Sequence, residues 1–217
     1  MFVGQAFLYN AFFFTYGDTL TTFLDVTQTG YYIAIFAASN FIGALVLSPL
    51  FDTIGRVKMI AGTYIISGVI LGATGFFLGS MTAVTLTMMG AIIFFFASAG
   101  ASAAYLTASE IFPMETRALC IAFFYAIGTA VGGISGPLLF GALIENASAS
   151  KDITLIASGY FIGAALMIGG GLVKIFLGVK AEGQSLESIA RPLTAEDDAP
   201  SSGTGDPAPH APDPSRR

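Results

Sequence analysis

The sequence has no tryptophan, one cysteine and one histidine, and only 11% of its 217 residues are charged. A single cysteine, Cys120, excludes an internal disulfide, and the lone His210 cannot by itself hold a metal ion. The shortage of charge says more. A soluble domain carries roughly a quarter charged residues. Here no Asp, Glu, Lys or Arg occurs across residues 26–51, 59–109, 118–144 or 153–173. A water-facing surface cannot be built when 51 consecutive residues supply no charge. A soluble enzyme, a nucleic-acid binder and a secreted disulfide scaffold are all excluded, and nucleic acid is no partner. The chain belongs in a lipid bilayer.

What is present is 54% apolar or aromatic. A helix needs about 20 apolar residues to cross the hydrocarbon layer, and a barrel strand about half as many in alternation. Uncharged runs of 21 to 51 residues fit helices. They predict an all-α membrane protein, a six-helix transmembrane bundle with spans near 3–24, 31–51, 59–79, 83–108, 118–143 and 153–177. Gly79-Ser80 is the natural turn inside the longest run. Pro49 and Pro137 are tolerated because neighbouring helices can satisfy the freed backbone groups. Eight of the nine Lys and Arg, all but Lys151, fall on one side if the amino terminus is cytoplasmic. The positive-inside rule then puts both termini in the cytoplasm, as an even number of spans requires. Met1 is followed by apolar residues without the basic region or cleavage site of a signal peptide. Residues 1–180 read as one transmembrane domain and 181–217 as a cytoplasmic tail. From residue 192 that tail carries six prolines and little apolar area, which predicts disorder. Cys120 reads as buried small apolar filler.

Two loops carry chemistry. FDTIGRVK (51–58) joins spans two and three, with Asp52 at a helix end, Gly55 for a tight turn, and Arg56 and Lys58 toward anionic headgroups. SEIFPMETR (109–117) joins spans four and five, where Glu110 ends one helix, Pro113 stops it and Arg117 opens the next. In order and on one side, the loops resemble those of the major facilitator superfamily, most like its sugar-porter and metabolite–proton symporter branches. The family pattern D-x-x-G-R-x-K/R is matched by Asp52, Gly55, Arg56 and Lys58. The pattern E-x-F-P-x-x-x-R is matched by Glu110, Phe112, Pro113 and Arg117. VKAEGQSLESI (179–189) keeps Gly183, Ser185, Leu186, Glu187 and Ile189 of the motif that often follows the last helix, and loses its proline. The resemblance covers residues 1 to about 190 and implies the carboxy-terminal half of a twelve-helix carrier, which holds its substrate between two halves.

The same resemblance points to pathway residues. Sugar porters carry a glutamine and, five residues on, an asparagine in the helix matching span one, and another asparagine in the next. Gln5, Asn10 and Asn40 resemble that set, with Phe14 where a tyrosine is common. Gln5 and Tyr9, with Phe12, Phe13 and Tyr16 more loosely, recur at three-to-four spacing and can share one helix face. Carboxamides suit hydroxyl-bearing solutes, since each offers donors and an acceptor; equally, they can bond neighbouring helices. Tyr105 stands where sugar porters have a tryptophan, and the stretch from Gly128 to Gly136 lacks their amides. Both departures speak against a hexose and leave organic acids and aromatic metabolites open. Asp18 is the one carboxylate well inside a span. Burial would raise its pKa and suit it to carry a proton; in a hydrated outer vestibule it would not. Gly128-Gly132-Gly136 and Gly159-Gly163 read as seams of close helix approach rather than phosphate loops.

The expected function is transmembrane secondary transport of a small, sugar-like or organic-acid-like metabolite by alternating access, coupled to protons. No enzyme activity, cofactor or metal is implied. The expected partners are the bilayer, the solute, protons and an absent amino-terminal six-helix half. The alternative is a half-size protein whose two copies assemble into a carrier or pore. The resemblance also implies a cytoplasmic gate of Asp52, Gly55, Arg56, Lys58, Glu110, Pro113 and Arg117, with Glu110 paired to Arg56 first and Arg117 second.

Overall fold

In lipid a backbone must satisfy its own hydrogen bonds, and a helix does so within one segment. A computed structural model describes residues 1–177. Residues 178–217, with the expected tail, His210 and the VKAEGQSLESI motif, lie outside the described residues, as do the side chains of Phe14, Asp52, residues 106–108, Glu110 and Ile111. The α-helices are α1 (Phe2–Leu24), α2 (Thr29–Leu47), α3 (Leu50–Ile54), α4 (Arg56–Phe77), α5 (Ala83–Ile111), α6 (Arg117–Gly128), α7 (Ile134–Ser150) and α8 (Ala157–Leu177). There is no strand among the described residues.

Helix ends follow local chemistry. The Thr82 hydroxyl caps α5 by accepting from the Thr85 N–H at 3.3 Å. α5 stops where Phe112 turns extended (φ −98°, ψ 142°), the conformation that a following proline imposes. Asp25 and Lys151 close α1 and α7 in the left-handed region. After α7, the Asp152 carboxylate accepts from both the N–H and the hydroxyl of Thr154, which holds its pKa below the usual carboxylate value. The turn expected at Gly79-Ser80 is a 3₁₀ segment, Leu78–Ser80.

Two details differ from the expected spans. The second span ends at Leu47 rather than residue 51, and 50–54 form the separate short α3. Pro49 has no N–H to offer Leu45, so the helix breaks there. The fifth span is α6 and α7 joined by a π-helical segment, Thr129–Gly133. The Pro137 ring presses on the carbonyl four residues earlier, that of Gly133, and the wider π turn absorbs the clash.

Among the described residues, five helical stretches are long and apolar enough to cross a membrane: Thr29–Leu47, Arg56–Ser80, Ala83–Tyr105, Arg117–Ser150 and Ile153–Leu177. The 23-residue α1 is as long but more polar, carrying Gln5, Asn10 and Asp18. It also contacts α2, α5, α6, α7 and α8. Gln5, Thr15 and Thr19 are buried against protein, as are Leu8, Phe12, Tyr16 and Leu20, whereas Asp18 is exposed. Around it α2 packs on α5, α5 on α4, and α4 on α8. The aromatic core joins α1, α2 and α5: Tyr16 meets Phe36 at 4.9 Å between ring centroids, and Phe36 stacks on Phe94 at 5.4 Å. Phe12 and Tyr16, expected on the pathway face, belong to this core.

The glycine seam is real. An added Cβ at Gly132 would lie 2.2 Å from the Val3 carbonyl oxygen, so only glycine lets α1 and the π segment approach this closely. Cys120, expected to be buried, is instead partly exposed on α6, whose neighbours Leu119 and Phe123 are also exposed.

Candidate functional site

At the end of the bundle where α1 starts, α5 finishes and α6 begins, these helices enclose a cleft of about 290 Å³. α1 contributes Gln5, Tyr9 and Asn10, α5 contributes Tyr105, α6 contributes Tyr125, and the π segment contributes Thr129. Four expected substrate contacts, Gln5, Tyr9, Asn10 and Tyr105, thus line one cavity. Asn40 does not line it, but its Oδ1 accepts a 2.8 Å hydrogen bond from the Tyr9 hydroxyl and ties α2 to the cleft. Phe14 is on α1, and its side chain lies outside the described residues.

The carboxamides are fixed by backbone. Gln5 Nε2 donates to the Ala97 carbonyl at 2.9 Å, linking α1 to α5, and Asn10 Nδ2 donates to the Ala6 carbonyl at 2.8 Å. Two carbonyl oxygens cannot bond each other, so these partners fix which amide atom is nitrogen. Gln5 Oε1 is buried with no partner, a state that costs about 1–3 kcal/mol until something donates to it. Tyr105 and Tyr125 sit 5.7 Å apart, and Phe2 meets Tyr105 edge-on at 5.2 Å.

Sequence reasoning missed Phe2, Tyr125 and Thr129. Tyr125 and Thr129 stand four residues apart in an otherwise apolar helix, a one-face polar pair that the spacing does reveal.

The loop motifs occupy the same end of the chain's path. Gly55 separates α3 from α4 with φ 105° and ψ 135°, backbone that favours glycine. Arg56, the first residue of α4, lines a second cavity of about 320 Å³ with Ser48, Phe51, Ala99, Ser102 and Ala103. Lys58 is exposed. The Pro113 carbonyl accepts from the Arg117 N–H at 2.9 Å and so shapes the turn into α6. Arg117 Nε donates to the Phe112 carbonyl at 3.3 Å, and its Nη2 is buried without a partner. The side chains of Asp52 and Glu110 lie outside the described residues.

At the opposite end, Asp18 is exposed and lines an open groove with Glu145, Gly141 and Ser148. The burial that would suit it to carry a proton is absent from this arrangement. No cluster of three or more His, Cys, Asp or Glu able to hold a metal occurs among the described residues.

Over residues 1–205 the sequence matches the family described as Major Facilitator Superfamily. The chain belongs to this superfamily. Membership and the five apolar helices make it an integral, multi-pass membrane protein. It is also similar to the probable plastidic glucose transporter 1 of Arabidopsis thaliana, at 29% identity over 177 residues. That alignment takes in 79% of this chain and 32% of the relative, so the chain spans about a third of the relative's length. The motifs read from the two loops therefore sit in a chain of this superfamily, and four of the expected substrate contacts line the cleft of α1, α5 and α6.

Proposed function

We propose that the chain is one six-helix half of a secondary transporter that moves a small metabolite by alternating access, with α1 as its sixth span. One observation carries this reading: Gln5, Asn10 and Tyr105, marked by the family resemblance, and Tyr9, marked by helical spacing, come from two helices distant in sequence and line one cleft. Apolar sides remain for lipid or a second half to cover. Phe41, Leu45 and Val46 of α2, and Leu119, Phe123, Ile134 and Leu138 of α6–α7, leave large apolar side chains exposed. With both termini cytoplasmic, the cleft opens near the inner membrane face and the Asp18 groove is an outer, hydrated vestibule. The glucose transporter relative supports a sugar-sized solute.

In this reading the loop motifs form a cytoplasmic latch. Arg56 and Arg117 each open a helix, where the positive dipole end disfavours a cation, and Glu110 lies at the last turn of α5, where the dipole disfavours an anion. Pairing Glu110 with Arg56, and next with Arg117, relieves these placements together. In helical register, Glu110 falls two turns beyond Ala103, which lines the Arg56 cavity.

Reconstituted vesicles test the proposal. The chain combined with an amino-terminal six-helix half should give saturable uptake, and the chain alone should insert and transport nothing. Saturable uptake by the chain alone would refute the half-carrier reading and favour a dimer of two copies.

A further inference from the structure

Among the described residues Lys174 is the one charged side chain that is buried, at 4% exposed, and neither the cleft nor the loop motifs use it. It stands in the last turn of α8, on the buried stripe of Tyr160, Gly163, Met167 and Gly170. The macrodipole favours a cation at this end of a helix, but that preference is met equally well at the surface. An exposed lysine there would reach water and anionic headgroups without losing its hydration. A buried ammonium is sustained only where an anion or several acceptors meet it.

Packing shows which groups Lys174 is brought to. The Tyr64 ring of α4 fills the gap between α5 and α8: it lies 2.8 Å from an added Cβ at Gly100 and 3.2 Å from one at Gly170. One turn nearer the loop motifs, the same three helices place Ile60, Ala104 and Lys174 in one layer, and all three are buried. Ile60 and Ala104 offer an ammonium no polar side chain. The next turn brings Arg56 at the start of α4, and α5 runs on to Glu110, six residues past Ala104. Six residues rise about 9 Å, a gap that the flexible stem of a lysine and a glutamate side chain close between them. Other acids at this end are less well placed. Asp52 belongs to α3, which packs on α2 and α4, and Glu115 is exposed.

We infer that Lys174 is a positioning residue of the cytoplasmic latch: its ammonium donates to the Glu110 carboxylate and so holds the end of α8 to the end of α5. Arg56 meets the same carboxylate from α4. With Asp52 beside them, the centre of the latch holds two acids and two bases, the balance that a poorly hydrated charge cluster requires. Arg117 stands at its edge, with Nε on the Phe112 carbonyl. The inference rests on the latch reading and adds to it a residue that no motif marks.

The assembled carrier in inside-out vesicles tests it. Cys120 is the reporter: it is the one cysteine of the chain and is partly exposed in the first turn of α6. Lys174→Met should raise the rate of Cys120 labelling about ten-fold, the ratio that one charge-assisted hydrogen bond carries, and slow turnover while solute affinity changes less. Lys174→Arg should restore both. A second readout is thermal. Glu110→Gln leaves a buried ammonium without its anion and should lower the melting temperature; adding Lys174→Met should recover part of that loss. A lysine that only caps α8 gives no such recovery. Wild-type labelling in Lys174→Met, with Glu110→Gln still opening the carrier, would overturn the role of Lys174 and leave the latch standing. Wild-type labelling in both would overturn the latch as well. Effects of the two substitutions that add in full would overturn the pairing with Glu110. If Lys174→Met does not fold, Lys174→Gln, which keeps a donor and loses the charge, takes its place in every comparison.

Discussion

Replacing Gly132 by alanine tests the fold and the site together. The added Cβ would lie 2.2 Å from the Val3 carbonyl oxygen and 2.8 Å from the Phe7 backbone nitrogen. Carbon and oxygen settle at about 3.3 Å or more, so α1 must retreat by about 1 Å. Both obstructing atoms are backbone, and no rotamer change relieves the contact. Overpacking of this kind costs about 1–3 kcal/mol, which for a chain of this length corresponds to roughly 3–9 °C in melting temperature. Val3 and Phe7 flank Gln5, so the retreat also draws the α1 wall away from Thr129 and should weaken solute binding. Gly141→Ala is the control, on α7 within the same long span. Nothing lies within 4 Å of its added Cβ, and removing glycine from a helix interior should gain about 0.5–1 kcal/mol. Thermal unfolding in detergent, followed by size exclusion, should move the two variants in opposite directions. Equal stability of Gly132→Ala and Gly141→Ala would refute the close approach of α1 to the π segment.

Three further outcomes follow from the site. Tyr9→Phe and Asn40→Ala each remove the 2.8 Å bond between α1 and α2, about 1 kcal/mol or five-fold in solute affinity; the double variant should cost no more than either alone in binding titrations. Asp18→Asn should leave both uptake and its pH profile unchanged, because the carboxylate is exposed beside Glu145; a displaced pH profile would restore Asp18 as the proton carrier. Arg56→Ala or Glu110→Gln in the assembled carrier should raise cysteine labelling from the cytoplasmic side and slow turnover while changing solute affinity less; wild-type labelling and turnover in both would refute the latch.

The main architecture was legible because lipid removes most alternatives. A 51-residue uncharged run can only be folded back as two helices, and the boundaries near 79–83 follow from one turn signal. The loop motifs were legible because glycine and proline act locally: Gly55 adopts φ 105° and Pro113 sets the turn into α6. What two other prolines do was not legible. Pro49 breaks a helix and Pro137 provokes a π turn, and the outcome depends on which neighbours can take up the freed backbone groups. The cleft was half legible. Gln5, Tyr9, Asn10 and Tyr105 could be singled out, but a sequence does not show which amide protons are spent on carbonyls from another helix. Phe12 and Tyr16 share periodicity with the cleft residues, and periodicity alone cannot tell a pathway face from a core face.

That division along α1 has a physical consequence. In its carboxy-terminal half the buried polar groups have partners: Thr19 bonds the Thr15 carbonyl, Thr15 bonds the Ala11 carbonyl, and the Tyr16 hydroxyl meets Thr87. The same stretch packs its rings on Phe36 and Phe94. This half is satisfied and close-packed, and moving it would break several contacts at once. In the amino-terminal half the unpartnered Gln5 Oε1 lies beside a cavity, and the π segment supplies a local irregularity in the opposing wall. The other side of this half is close-packed as well, with Gly132 of the π segment seated on the backbone of Val3 and Phe7. The aromatic core of α1, α2 and α5 is therefore satisfied throughout, and the cleft is where α1 keeps a buried acceptor open.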